Sequence, residues 1–134
     1  MYSPLVNVKL NDMEKRVVVT GLGVVSPVGN NVETFWKNLV DGVCGIDFIK
    51  QFPTDDLSVK IAGEVKDFKP ADYGIEPKAA RKFDRFCLFA LAAANQAVAM
   101  SGLKATDDEE DNTPGTVHSD RFGVYIGSGI GGMH

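Results

Sequence analysis

The stretch Arg121 to Gly132, RFGVYIGSGIGG, decides how the rest of this chain is read. Phe122, Val124 and Ile126 alternate with Gly123 and Tyr125, which is the period of a strand. The run then breaks into Gly127-Ser128-Gly129-Ile130-Gly131-Gly132, so a short strand delivers a flexible turn. Glycine lacks a β-carbon, and such a turn admits close approach by a ligand or by another backbone. Arg16-Val17-Val18-Val19-Thr20 running into Gly21-Leu22-Gly23 has the same form, and together the two stretches predict one sheet with a working edge.

Bulk properties narrow the classes. At 134 residues the chain suffices for one domain with a core and not for two ordinary ones. Its apolar, aromatic and charged fractions of 44, 9 and 24% are those of a globular protein. A net charge of -4 argues against general nucleic-acid binding. No apolar run reaches bilayer length, so no membrane span is expected. Met1 to Asp12 lacks the pattern of an export signal and reads as a tail, with Met13 as the expected natural start and residues 1–14 as an extension. Without such a signal, and with only Cys44 and Cys87 at unrelated positions, a cytoplasmic chain with reduced thiols is expected.

Taken in order, the first strand is followed by Ser26-Pro27-Val28-Gly29-Asn30-Asn31, a turn rich in residues that stop regular structure. A helix is predicted next, capped by Asn30 or Asn31, with Val32, Phe35, Trp36, Leu39 and Val40 on one face and Gly42 as its stop. Residues 42–56 read as loop, and 59–65 as a short edge strand. Pro77 opens a long helix expected to run to about Ser101, with Gly102 as its stop. Its buried side is predicted to hold Ala79, Phe83, Phe86, Cys87, Ala90, Ala94 and Ala97, and its alanines allow close packing. Residues 106–119, with Asp107-Asp108-Glu109-Glu110-Asp111, read as a solvated acidic loop. The order strand, helix, strand, helix, strand indicates an α/β layer in which the first and last strands pair as parallel neighbours.

Three features carry chemistry, each with a plainer alternative. Lys78, Arg81, Lys82 and Arg85 follow i, i+3, i+4, i+7 spacing and would stack along one stripe of the long helix. The helix dipole disfavours cations in a first turn, so such a stripe points to an anionic partner; a solvated face explains it equally well. Gly127, Gly129 and Gly132 satisfy G-x-G-x-x-G, yet the confirming helix and acidic residue are not in the sequence, and tight strand-to-loop geometry ranks above nucleotide binding. Cys87 falls on an apolar helix side and Cys44 has no basic neighbour in sequence, so neither reads as a nucleophile. His118 and His134 are isolated, and no metal-ligand spacing is present.

Lys15 to Gly23, Ser26-Pro27-Val28-Gly29-Asn30, Trp36, Gly45-Ile46, Ala62-Gly63, Arg81-Lys82 and Gly127 to Gly132 together resemble the start of the β-ketoacyl-acyl-carrier-protein synthases. They look most like the elongating type, synthase II, of bacterial fatty-acid synthesis. The match runs from Lys15 to Gly132 in order and at family-like spacing, which outweighs any lone motif. A thiolase-like α/β fold is implied, of which residues 15–134 would be the incomplete N-terminal part of the first half, usually in a homodimer.

The resemblance also implies transfer of an acyl group from acyl carrier protein to a cysteine, then decarboxylative condensation with malonyl-acyl carrier protein, with no metal or dissociable cofactor. That cysteine and two histidines are expected beyond residue 134, so no catalytic residue carries over and the chain by itself is expected to be inactive. Lys78, Arg81 and Lys82 match positions that dock the acidic carrier. Ile130 matches an apolar gate at the mouth of the acyl pocket, although a buried loop residue would look the same. A polyketide ketosynthase, a chain-length factor and, further off, a nucleotide-binding domain remain the alternatives.

Overall fold

Asn31 starts the first helix as its residue type predicts, its Oδ1 accepting the Thr34 N–H at 2.8 Å. The structure is a computed structural model, and it describes residues 17–132. The tail, Met13, Lys15-Arg16 and His134 lie outside the described residues. Helix α1 is Val32–Val40, and it stops at Gly42, whose φ of +71° is a left-handed turn. Its apolar face is only partly covered by the described residues: Val32 and Phe35 are half-buried, no residue of α1 is fully buried, and Trp36 is 64% exposed.

The predicted loop after α1 contains a strand. β1, Asp47–Phe48, pairs antiparallel with β2, Ile61–Ala62, which is all of the 59–65 run that becomes strand. The acidic loop is likewise bounded by strands rather than loop throughout. β3, Lys104–Thr106, pairs in parallel with β4, Thr116–His118.

The long helix is two helices. α2, Pro77–Ala80, stops at Arg81, and α3, Arg85–Ser101, begins after Asp84, whose extended backbone makes it the N-cap residue. Asp is a preferred residue type there, and it is the cue that the regular spacing of the four cations conceals. α3 ends as expected at Gly102, φ +67°.

Splitting the helix also changes its buried side. Leu88 and Ala92, one turn apart, are the buried residues of α3, and with Ile75 they form a small core. Val25, Phe68, Tyr73 and Ala80 pack against it, with the Phe68 ring stacked on Tyr73 at 5.3 Å and edge-on to Phe89 at 4.8 Å. The predicted side fails because Ala79 and Phe83 no longer share the helix with Ala90, Ala94 and Ala97. The latter three, with Val98, instead line a shallow groove against residues 122–127.

Neither Val17–Thr20 nor Phe122–Ile126 is a strand, and the predicted parallel pairing between them is absent among the described residues. Val17 is 93% and Tyr125 98% exposed. A strand needs a neighbour to take up its N–H and C=O groups, and none of the described segments lies in register with either stretch.

What fixes the first glycine turn is α3. A Cβ added at Gly21 would lie 2.0 Å from the Ala97 carbonyl oxygen, and one at Gly23 1.8 Å from that of Ala93. These glycines exist for contact between backbones, and the alanine run supplies the matching small face. Polar side chains complete the attachment. Gln96 Nε2 donates to the carbonyls of Val24 at 3.0 Å and Asn30 at 3.1 Å, and the Tyr73 hydroxyl donates to Asn30 O at 2.9 Å. Burial, and secondarily the charge of Asp72, hold the Tyr73 phenol above its ordinary range, so it stays a neutral donor.

Candidate functional site

The segment joining α2 to α3 carries the predicted cations. Lys78 lies in α2, Arg81 is its C-terminal cap, and Lys82 follows in the turn, its N–H donating to Ala79 O at 2.9 Å. All three are exposed. They do not form a helical stripe: Lys78 lies within the single turn of α2, Arg81 caps it, and Lys82 stands two residues before the N-cap of α3. The dipole argument, which needed one long helix with all three in its first turns, no longer applies as made, and their shared exposure remains.

Arg85, the fourth cation by spacing, has a different task. Its Nη2 donates to the Val65 carbonyl at 2.7 Å, and its guanidinium lies 5.2 Å from the Phe89 ring centroid. It ties the β1–β2 region to the start of α3.

Beside this junction lies a cleft of about 450 Å³ whose walls include Ile49, Phe52, Val65, Phe86, Phe89 and the glycines Gly131 and Gly132. Glu64 closes one side, its carboxylate accepting the backbone N–H groups of Lys50 at 3.1 Å and Gln51 at 3.3 Å. The wall is therefore largely aromatic and aliphatic, with Glu64 engaged by backbone N–H groups and Asp84 and Arg85 also lining it. In β1, Asp47 is held below the usual carboxylate range, first by the Phe48 N–H and then by Lys50.

Ile130 precedes Gly131, which lines the cleft, and is itself 78% exposed, so it is not a buried loop residue in this structure. Gly127 and Gly129 have nothing within 4 Å of an added Cβ, whereas Gly131 lies over Phe86 and Gly132 against the Asp84 carboxylate. A carboxylate beside the turn opposes a phosphate there, and the first glycine turn is filled by the α3 backbone. Both observations weigh against the nucleotide reading.

Neither cysteine is poised for nucleophilic attack. Cys44 is exposed with its Sγ 3.9 Å from the Ile46 carbonyl oxygen, which cannot take its proton, and Cys87 is half-buried in α3. His118 sits in β4, where its charge is a minor contributor to lowering the Asp111 carboxyl, behind the hydrogen bonds to Thr113. Among the described residues no group of three or more His, Cys, Asp or Glu side chains could hold a metal ion, and no helix is long and apolar enough to cross a membrane. Sequence reasoning missed the cleft wall, because Phe52, Glu64 and Phe86 come together only when the helix breaks at Asp84.

Comparison with known proteins bears on this arrangement. The family model described as the N-terminal domain of β-ketoacyl synthase matches residues 14–134. The chain is 50% identical over 119 residues to 3-oxoacyl-[acyl-carrier-protein] synthase 2 of Staphylococcus aureus strain N315, covering 89% of this chain and 26% of that protein. It is 45% identical over 120 residues to the protein of the same name from Vibrio harveyi, covering 90% and 26%. Among solved structures, the ishigamide ketosynthase/chain length factor superposes with a TM-score of 0.59 at 36% identity, covering 65% of this chain and 21% of that one. The chain thus spans about a quarter of the length of the curated relatives it matches.

Proposed function

The chain belongs to the β-ketoacyl synthase family and carries part of its thiolase-like α/β fold, and on that ground we propose that it serves a 3-oxoacyl-acyl-carrier-protein synthase of fatty-acid elongation. That enzyme joins a carrier-borne acyl thioester to malonyl-acyl carrier protein, in the cytoplasm and as a homodimer. The observation that carries this reading is the 50% identity, over 119 residues, to a relative named for that activity. A polyketide ketosynthase or chain-length factor is the second reading, favoured by the name of the 36%-identical structure. The lower identity ranks it second.

Within the synthase, residues 15–134 act as the N-terminal part of the condensing domain, and they receive the substrate rather than perform the chemistry. Neither Cys44 nor Cys87 is the acyl acceptor. Lys78, Arg81 and Lys82 dock the acidic carrier; three exposed cations on one short junction give a field that an anionic helix meets without burying a charge. Ile130, exposed between two glycines and next to the cleft-lining Gly131, gates the acyl chain.

Charge reversal tests the docking role. In the full-length synthase, Arg81→Glu is expected to raise KM for the acyl-carrier substrate roughly tenfold, and rising salt is expected to weaken wild-type binding within the range of screening. Steady-state kinetics at two ionic strengths measures both, and an unchanged KM with no salt dependence would return the cations to an ordinary solvated surface.

A further inference from the structure

The glycine turn is held at one end only. At Gly131 an added Cβ would lie 3.3 Å from Phe86 Cζ and 3.6 and 3.7 Å from its two Cε atoms, and the φ of +82° bends the chain across the ring. At Gly132 the added Cβ would meet Asp84 Oδ2 at 2.7 Å. Gly127 and Gly129, on the other side of Ile130, meet nothing within 4 Å. Ile130 is therefore the first residue beyond the seated half of the turn, and its position is set by what lies under Gly131 and Gly132.

The seat is itself fixed. Asp84 and Phe86 flank Arg85, whose guanidinium bonds the Val65 carbonyl at 2.7 Å and lies over Phe89. Leu88, one turn on from Asp84, is buried in the core. The same segment continues directly from Arg81 and Lys82, so the docking cations and the seat share one short junction between α2 and α3.

The geometry points to Phe86 and Asp84 as positioning residues that fix Gly131 and Gly132 in the cleft wall, and with them the adjacent Ile130, and thereby set which acyl chain lengths the enzyme accepts. This rests on the gate role proposed for Ile130. The Phe86 ring supports the backbone of the turn from below, and the Asp84 carboxylate blocks movement of Gly132 toward α3. Removing the ring lets the turn settle into the cleft; extending the ring lifts it.

The test uses the full-length synthase with a series of acyl-carrier substrates of increasing chain length, reading kcat/KM for each. Phe86→Ala is expected to change the long-to-short ratio by about fivefold or more, well inside the roughly 100-fold that a misplacement of about 1 Å can cause. KM for the carrier should stay within about twofold, because the docking cations are untouched. Phe86→Leu, which restores an apolar seat, should recover most of the wild-type ratio. A general loss of stability would lower all chain lengths together.

Phe86→Tyr adds an oxygen at Cζ, the ring atom nearest Gly131, and should also move the ratio; it carries the test if Phe86→Ala does not fold. A wild-type ratio in folded Phe86→Ala and Phe86→Tyr, with a shifted ratio in Ile130→Ala, would overturn the seat and leave the gate standing. An unshifted ratio in Ile130→Ala would overturn the gate and the seat with it.

Discussion

Two stretches of this chain share one form, valine- or isoleucine-rich residues running into glycines, and the fold uses them in opposite ways. Gly21 and Gly23 lie against the carbonyls of Ala97 and Ala93, closer than any side chain could stand. Gly127 and Gly129 face open space, and only Gly131 and Gly132 meet anything, at Phe86 and Asp84. The first pair is a packing device and the second is a surface device. A glycine pattern records that a side chain is unwelcome, without recording whether protein or ligand is what excludes it.

The contrast is testable in order of expected effect. Gly23→Ala should be severe, since its Cβ would lie 1.8 Å from a backbone oxygen of α3 that cannot turn aside. Overpacking of this kind costs about 1–3 kcal/mol, occasionally more. Denaturant unfolding should show that loss, and an undiminished midpoint would mean that the loop does not rest on α3. Gly129→Ala is the opposite case, with nothing within 4 Å and no positive φ. It should stay within about 0.5 kcal/mol of wild type, as exposed substitutions do. A loss as large as that of Gly23→Ala would erase the distinction between the two turns.

The smallest effect concerns acid. The Asp47 carboxyl is lowered from the ordinary value by the Phe48 N–H and by Lys50, so its charged form favours the folded β1–β2 pair. That contribution is present above the unfolded carboxylate pKa and is lost as pH falls through the lower folded value. Asp47 is exposed, so the effect is local. The Phe48 amide resonance should titrate below the ordinary carboxylate range and should cease to do so in Asp47→Asn. A midpoint at or above the ordinary value would remove the assigned cause.

Much of this was legible in the residues. The Asn31 cap, the glycine stops at Gly42 and Gly102, the α/β class and the family resemblance all rest on local chemistry or on ordered motifs, and they stand. Lys78, Arg81 and Lys82 are exposed, but not as the helical stripe their spacing predicts, because that stripe belongs to a helix that breaks at Asp84. Its break depends on which side of α3 finds a core, and the decisive contacts, Ile75 with Leu88 and Phe68 with Phe89, join residues more than ten positions apart. β1, β3 and β4 were missed because two- and three-residue strands carry no readable period. The Val17–Thr20 and Phe122–Ile126 stretches have strand composition, yet pairing is a property of neighbours.

One nitrogen, Nε2 of Gln96, holds the carbonyls at both ends of the loop from Val24 to Asn30. Glutamine side chains deamidate as proteins age, and the product here would set a carboxylate oxygen against those two carbonyl oxygens, replacing both attractions with repulsions. The Tyr73 hydroxyl on Asn30 O and the Asn30 Nδ2 bond to Lys66 O would then keep the Asn30 end. A single amide thus sets whether the Gln96 side chain of α3 draws this loop in or pushes it away.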